Sequence, residues 1–394
     1  MMGRILFIIP FLFLLMGCWS SQELDNSALV HGIGLDKSDG KLRISVEIIK
    51  PTGASEQGGG EGGGGNGQHI LLERDADSII QGTRALIRDA KRRLYFDHAR
   101  LWVIGEELAK EDFIGYLDES RRDQMFRLNS YLFITEGNPI DILSTSTLYE
   151  DLSSAEIVSA LEQQTQYIAE YTSVKLYEFY KLIEGPIPNA YLPIIQTKKE
   201  KDKTITSLDG TAVIRNDKMV GKLNTHETVG LNVLLNKAKS GGETVSLNEK
   251  EKVSVEIKKS ETKIKPTLVG NQLKAHLNIE IEGTLADNTT KSNINEQWIS
   301  KVEKEVSNLA EKYVRLTLDK LQKELKTDIS GIGLETYRKY PKQWQNIQSE
   351  WNEIFSNADI IIDVHTNITH QGLINKSINR HHKKPYNNPY KLRN

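Results

Sequence analysis

The chain has 394 residues, of which 38% are hydrophobic and 26% charged, with a formal net charge of −2. That balance gives no broad electrostatic case for nucleic acid as a partner, and one cysteine excludes structural disulfides and thiolate metal clusters. The length exceeds what a single hydrophobic core usually accommodates, so two or three domains are expected.

At the N-terminus Arg4 precedes an apolar run from Ile5 to Met16, interrupted only by Pro10, which is the make-up of a secretory leader. A spanning helix needs about 20 apolar residues, so residues 1–17 are read as a signal peptide to be removed. The leader ends Leu15-Met16-Gly17-Cys18 and is similar there to the lipobox of bacterial lipoproteins. That resemblance implies cleavage between Gly17 and Cys18 by lipoprotein-processing enzymes, a diacylglycerol on the Cys18 thiol, an N-terminal acyl chain such as palmitate, and no other cofactor. Two acyl chains attach stably where one is marginal. No later segment approaches 18 uninterrupted apolar residues, so the mature body of about 375 residues is read as water-soluble. Trp19, beside the lipid, is placed at the membrane interface.

Ala28 to Leu35 reads as a strand in which Gly32 and Gly34 permit close backbone approach. Its partner is the alternating segment Leu42, Ile44, Val46 and Ile48, with one face buried. The glycine run 58–67 lacks the Gly-Lys-Ser/Thr ending of a phosphate loop and is read as a flexible loop. From Asp77, taken as an N-cap, Ile79, Ile80, Thr83, Leu86, Ile87 and Ala90 recur at helical spacing. Arg84, Arg88, Lys91, Arg92 and Arg93 occupy the other positions, read as a solvated face, with anionic lipid or an acidic partner as the second reading. Leu101 to Ile104 and Tyr131 to Ile134 suit buried strands, with Trp102 in the core. Ser153 to Leu161 and Thr172 to Ile183 read as helices. Gly185-Pro186-Ile187-Pro188 breaks the pattern, and the charge run Lys198 to Lys203 places a domain boundary near residue 204.

The second half offers strands at Thr211 to Arg215, Val253 to Lys259 and Leu273 to Ile281. One long helix follows, with an apolar stripe of Ile299, Val302, Val306, Leu309, Tyr313 and Leu316 continued by Leu321 and Leu325, expected to cover a sheet. A last strand, Ala358 to Val364, is expected inside that sheet. Residues 376–394 carry six Lys or Arg and no acid; they read as a disordered basic tail, with anionic phospholipid as an alternative contact. The fold class is therefore α+β, mixed sheets packed with helices, with an N-terminal unit over 18–204 and a C-terminal unit, carrying the long helix, over 205–375.

Several ordered segments resemble one family. Trp19, Glu23-Leu24 and His31-Gly32-Ile33-Gly34-Leu35-Asp36 follow Cys18; Asp97-His98 and Gly105-Glu106-Glu107-Leu108 flank a strand. Gly210-Thr211-Ala212-Val213, Val220-Gly221-Lys222-Leu223, Glu227, Gly230-Leu231 and Lys263-Ile264-Lys265-Pro266 form a central block. After the long helix come Gly331, Gly333, Tyr337, Arg338, Lys339, Tyr340, Pro341 and Trp344. Together these are similar to the C-subunit lipoproteins of spore germinant receptors, the Ger(x)C family; Ser20, where members commonly carry an acid, departs from it.

The resemblance implies a mixed α/β architecture without known enzymatic activity, at the outer face of the inner spore membrane. It also implies partners, a membrane-embedded A-type and a transporter-like B-type subunit, for which this chain is a scaffold or coupling subunit. His31, Arg338 and Trp344 are taken as functional, Gly331 and Gly333 as backbone requirements and Pro341 as a helix start or turn.

Catalytic constellations are lacking. No Gly-x-Ser-x-Gly elbow occurs, and an acylated Cys18 is no nucleophile. His365 and His370 are wrongly spaced for a zinc helix, and His381-His382 lie in the tail. Glu106-Glu107 and Glu119 with Asp123 read as solvated surface. The alternatives are a stand-alone solute-binding lipoprotein, which would show two similar lobes, and a lipid-anchored cell-wall hydrolase.

Overall fold

The computed structural model describes residues 27–49, 69–122, 125–249, 251–288 and 294–370. The leader, Gly17, Cys18, Trp19, Ser20, the glycine run 58–67, Asp123 and the basic tail lie outside the described residues.

Strands β1 (Ser27–Ser38) and β2 (Lys41–Ile49) form an antiparallel hairpin that β3 (His69–Ala76) extends. Helix α1 (Ile79–Ala90) packs Ile79, Gly82, Thr83 and Leu86 inward. Its N-cap is Ser78 and not Asp77: the Ser78 hydroxyl accepts from the Gln81 N–H at 3.2 Å, while the Asp77 N–H donates to Gln81 Oε1. Next come β4 (Arg93–Tyr95), β5 (Leu101–Gly105), α2 (Glu106–Ala109), α3 (Ile114–Arg122), β6 (Tyr131–Thr135), α4 (Pro139–Leu143), α5 (Ser153–Tyr167) and α6 (Leu176–Ile183). Trp102 is 1% exposed, inside the core.

Three long strands, β7 (Asn189–Glu200), β8 (Lys203–Arg215) and β9 (Lys218–Leu223), complete a nine-stranded sheet of order β3-β2-β1-β5-β6-β7-β8-β9, with β4 beside the start of β1. Pairing is parallel from β1 through β5 and β6 to β7, and antiparallel at both ends. The charge run at 198–203 forms the tip of the β7–β8 hairpin. Strand β2 corrects the alternation reading: Leu42, Ile44, Val46 and Ile48 are buried, but so are Ser45 and Glu47. The second face lies beneath α4 and α5, where a Cβ on Gly32 would come within 2.6 Å of Leu143 and one on Gly34 within 2.7 Å of Pro139.

Helix α7 (Thr225–Leu234) has a reciprocal capping box between Asn224 and Glu227. It leads to β10 (Gly241–Asn248), β11 (Glu251–Val269) and β12 (Gln272–Asn288), which with β13 (Asp359–His370) form a four-stranded sheet. The long helix α8 (Glu296–Asp319) lies against this sheet, started by the Asn295 side chain accepting from Trp298 N–H at 2.9 Å. Its buried stripe is Trp298, Val302, Val306, Ala310, Val314 and Leu318, every fourth residue, whereas Leu316 is 39% exposed. The helix runs on as a π-helical turn over Lys320–Leu325. Three short helices, α9 (Ile332–Lys339), α10 (Pro341–Ile347) and α11 (Trp351–Ser356), precede β13. That last strand lies at an edge, paired in parallel with β12 alone. Only its alternate residues are apolar and inward; Asp359, Ile361, Asp363 and His365 are exposed, which suits an edge rather than a sheet centre.

Candidate functional site

The Gly331 to Trp344 segment surrounds one buried acid that the sequence reading did not single out. Asp328 is 3% exposed. One carboxylate oxygen accepts from the Ser330 N–H at 2.9 Å and the Ser330 hydroxyl at 2.6 Å. The other accepts from the Gly333 N–H at 2.8 Å and from Trp351 Nε1 at 3.0 Å. Burial pushes the Asp328 carboxyl above the usual aspartate range, against the pull of these four donors.

Gly331 has φ +89°, open to glycine but strained for other residues. At Gly333 a Cβ would lie 2.5 Å from Ile187, 2.6 Å from Asp328 and 2.7 Å from Trp351. Trp344, 2% exposed, lies against Trp351 with the rings tilted by 46° and their centroids 4.8 Å apart, and Tyr337 meets it edge-on at 5.8 Å. Two tryptophans that look scattered in sequence are thus adjacent, joined to Asp328 by one indole N–H.

The same cluster ties the two halves of the chain together. Asn189, at the start of β7, donates through Nδ2 to the Asp328 carbonyl at 3.1 Å and to Asn352 Oδ1 at 3.2 Å. Ile187, from the Gly185 to Pro188 break, closes over Gly333. Lys339 donates to the Pro266 carbonyl at 2.7 Å, connecting two of the motif segments, and Pro341 occupies the first turn of α10. Arg338 is exposed, pairs with Glu335 and lines an open groove of about 1140 Å³ between the halves. Tyr177, Tyr180, Tyr191, Lys181 and Lys237 face the same groove.

His31 belongs to a different place. It sits at a bulge in β1, between Val30 and Gly32, where the parallel partner changes from β4 to β5, and bulges re-aim side chains. The His31 ring stacks on His98 at 6.4 Å and its Nδ1 is buried without a hydrogen-bond partner. Burial first, then His98 and Arg100, lower its pKa below 6.5. A depressed imidazole value adds stability that is complete above pH 6.5 and is lost as pH falls through the folded value. Thermal midpoints of His31→Asn are therefore expected to fall less than those of the parent on acidification from pH 6.5; equal falls would assign the effect elsewhere.

Among the described residues no group of three or more His, Cys, Asp or Glu is arranged to hold a metal ion. Glu106 and Glu107 start α2 and both pair with Lys110. No described helix is long and apolar enough to cross a membrane.

The family described as "Spore germination protein N-terminal domain" matches residues 20–197, and the one described as "Spore germination B3/GerAC like, C-terminal" matches residues 209–372. The chain belongs to the Ger(x)C family of spore germination proteins. Among its relatives, Spore germination protein YndF of Bacillus subtilis (strain 168) is 27% identical, over 91% of this chain and 94% of the relative. Spore germination protein KC of the same organism is 26% identical, over 94% and 95%. The crystal structure of the GerBC protein superposes with a TM-score of 0.55 at 22% identity, covering 86% of this chain and 97% of that one. The Ger(x)C fold is accordingly the mixed-sheet architecture described above, and the family is not a known enzyme family.

Proposed function

We propose that this protein is the lipid-anchored C subunit of a nutrient germinant receptor, held by Cys18 on the outer face of the inner spore membrane. There it acts as a scaffold or coupling subunit beside membrane-embedded A- and B-type subunits. The observation that carries this reading is the Asp328 cluster, which locks β7 of the first half to α9 and α11 of the second within a chain matched along both halves by spore germination families. A buried carboxylate saturated by four donors positions backbone; it has no free lone pair for acid–base work. Such a weld suits a body that transmits position between partners.

Replacing Cys18 with Ala is expected to abolish metabolic lipid labelling, release the protein from spore membranes on washing, and slow nutrient-triggered germination. Full retention and normal germination in that variant would refute the anchored-subunit reading. The groove between the halves gives a specific footing to a second reading, a solute-binding lipoprotein. Calorimetry of the mature chain against amino acids and sugars separates the two, because tight binding without membrane subunits favours the second.

A further inference from the structure

We infer that the outer face of α1 and the turn after it form an electrostatic seat for the anionic headgroups of a phospholipid bilayer, fixing how the body stands on the membrane. This rests on the lipid-anchor reading of Cys18 for its setting.

Ile80, Arg84 and Arg88 recur every fourth residue along α1, so they stack into one stripe, and all three are exposed. Lys91, the C-cap with φ +52°, and then Arg92 and Arg93 continue it where the helix ends. The acid on this helix, Asp89, is engaged by Arg74 at 2.6 Å. Among the described residues Arg84, Arg88, Lys91 and Arg92 stand in no ion pair. Ile80, at 48% exposed, places an apolar side chain in line with the charges, the composition of a surface that rests on headgroups. The opposite face of α1 is fixed to the sheet, where a Cβ on Gly82 would run into Ile44 and Ala76, so the stripe's direction is set by the fold.

The position of the stripe selects a membrane over other polyanions. Strand β1 begins at Ser27, and Ser27 pairs with Arg93; neighbouring strands lie about 4.8 Å apart. Ser27 is nine residues from Cys18, a separation of at most about 30 Å even when fully extended. The basic turn therefore flanks the point where the chain arrives from its anchor. Each basic side chain at an anionic surface favours partitioning by about fivefold.

The test uses the mature chain with Cys18→Ala, so that no acyl chain contributes, and vesicles of phosphatidylcholine with or without about 30% phosphatidylglycerol. At about 0.05 M salt the protein is expected to sediment with the anionic vesicles at least about tenfold better than with the neutral ones, and to be released at about 0.5 M. The fourfold variant Arg84→Glu, Arg88→Glu, Lys91→Glu, Arg92→Glu should lose that preference while keeping its urea midpoint, since all four side chains are exposed. Its basic tail is intact, so undiminished binding by this variant would move the contact to the tail and overturn the proposal. Equal binding of the parent to both vesicle types would also overturn it. Failure of the anchor itself reads out separately, as an unacylated Cys18 in the mass spectrum of the native protein.

Discussion

Asp328→Ala is expected to destabilise the protein by about 3–5 kcal/mol, a large share of the roughly 5–15 kcal/mol available to a folded chain. The deletion leaves the N–H groups of Ser330 and Gly333 and the indole N–H of Trp351 buried around an empty space. Asp328→Asn, of the same shape, offers one acceptor where two are used and turns an NH2 group toward a donor, so it should recover only part of the loss. Urea titration provides the check: the midpoint should fall with little change in slope. A midpoint shift worth less than about 1 kcal/mol for the alanine variant would show that the cluster does not weld the halves.

The second large effect is at Glu47. This residue is 0% exposed, and its two oxygens accept from the Ser153 N–H at 2.8 Å and the Ser154 N–H at 3.0 Å. Helix α5 has Leu152 at its N-cap, with no side-chain cap of its own, so an acid 106 residues away in sequence performs that task. Glu47→Ala is expected to cost about 2–4 kcal/mol, through two orphaned helix N–H groups and the cavity left behind. Burial raises the Glu47 pKa above the ordinary glutamate value of 4.5, outweighing the donors that lower it. The folded state then holds its proton to higher pH than the unfolded chain. The associated stability is complete below pH 4.5 and is lost as pH rises through the folded value. Stability of Glu47→Gln, followed by chemical denaturation upward from that pH, should decline less steeply than that of the parent; parallel curves would deny Glu47 this role.

Both residues show where sequence reading stops. Periodicity located β2, α1 and α8, because their apolar spacing follows the backbone repeat, while continuous apolar runs located β5 and β6, and β1 was placed as the partner of β2. Which polar residues were to be buried was not legible. Glu47 sits in an alternating strand and looks solvent-facing until α4 and α5, more than 90 residues later, cover that side. The four-residue stripe of α8 turned the helix so that Ala310 and Val314 face the core, with Leu309 packed half-buried at its flank and Leu316 left exposed, a rotation decided by α7 and the sheet. For the candidate site, the glycines and Trp344 stood out as a motif, but Asp328 carries no local signature. It takes its meaning from Trp351 and Asn189, which are distant in sequence.

The central place of β1 bears on how the chain assembles. Its first strand partner, β2, follows after a two-residue turn, yet its other neighbours, Arg93–Tyr95 and Leu101–Ile104, come some 65 residues later. Long-range parallel pairing is slow, because loop closure precedes its reward. That hairpin therefore waits with one hydrogen-bonding edge unsatisfied until the chain as far as residue 104 is available to it. A holding chaperone has its natural point of engagement during that interval.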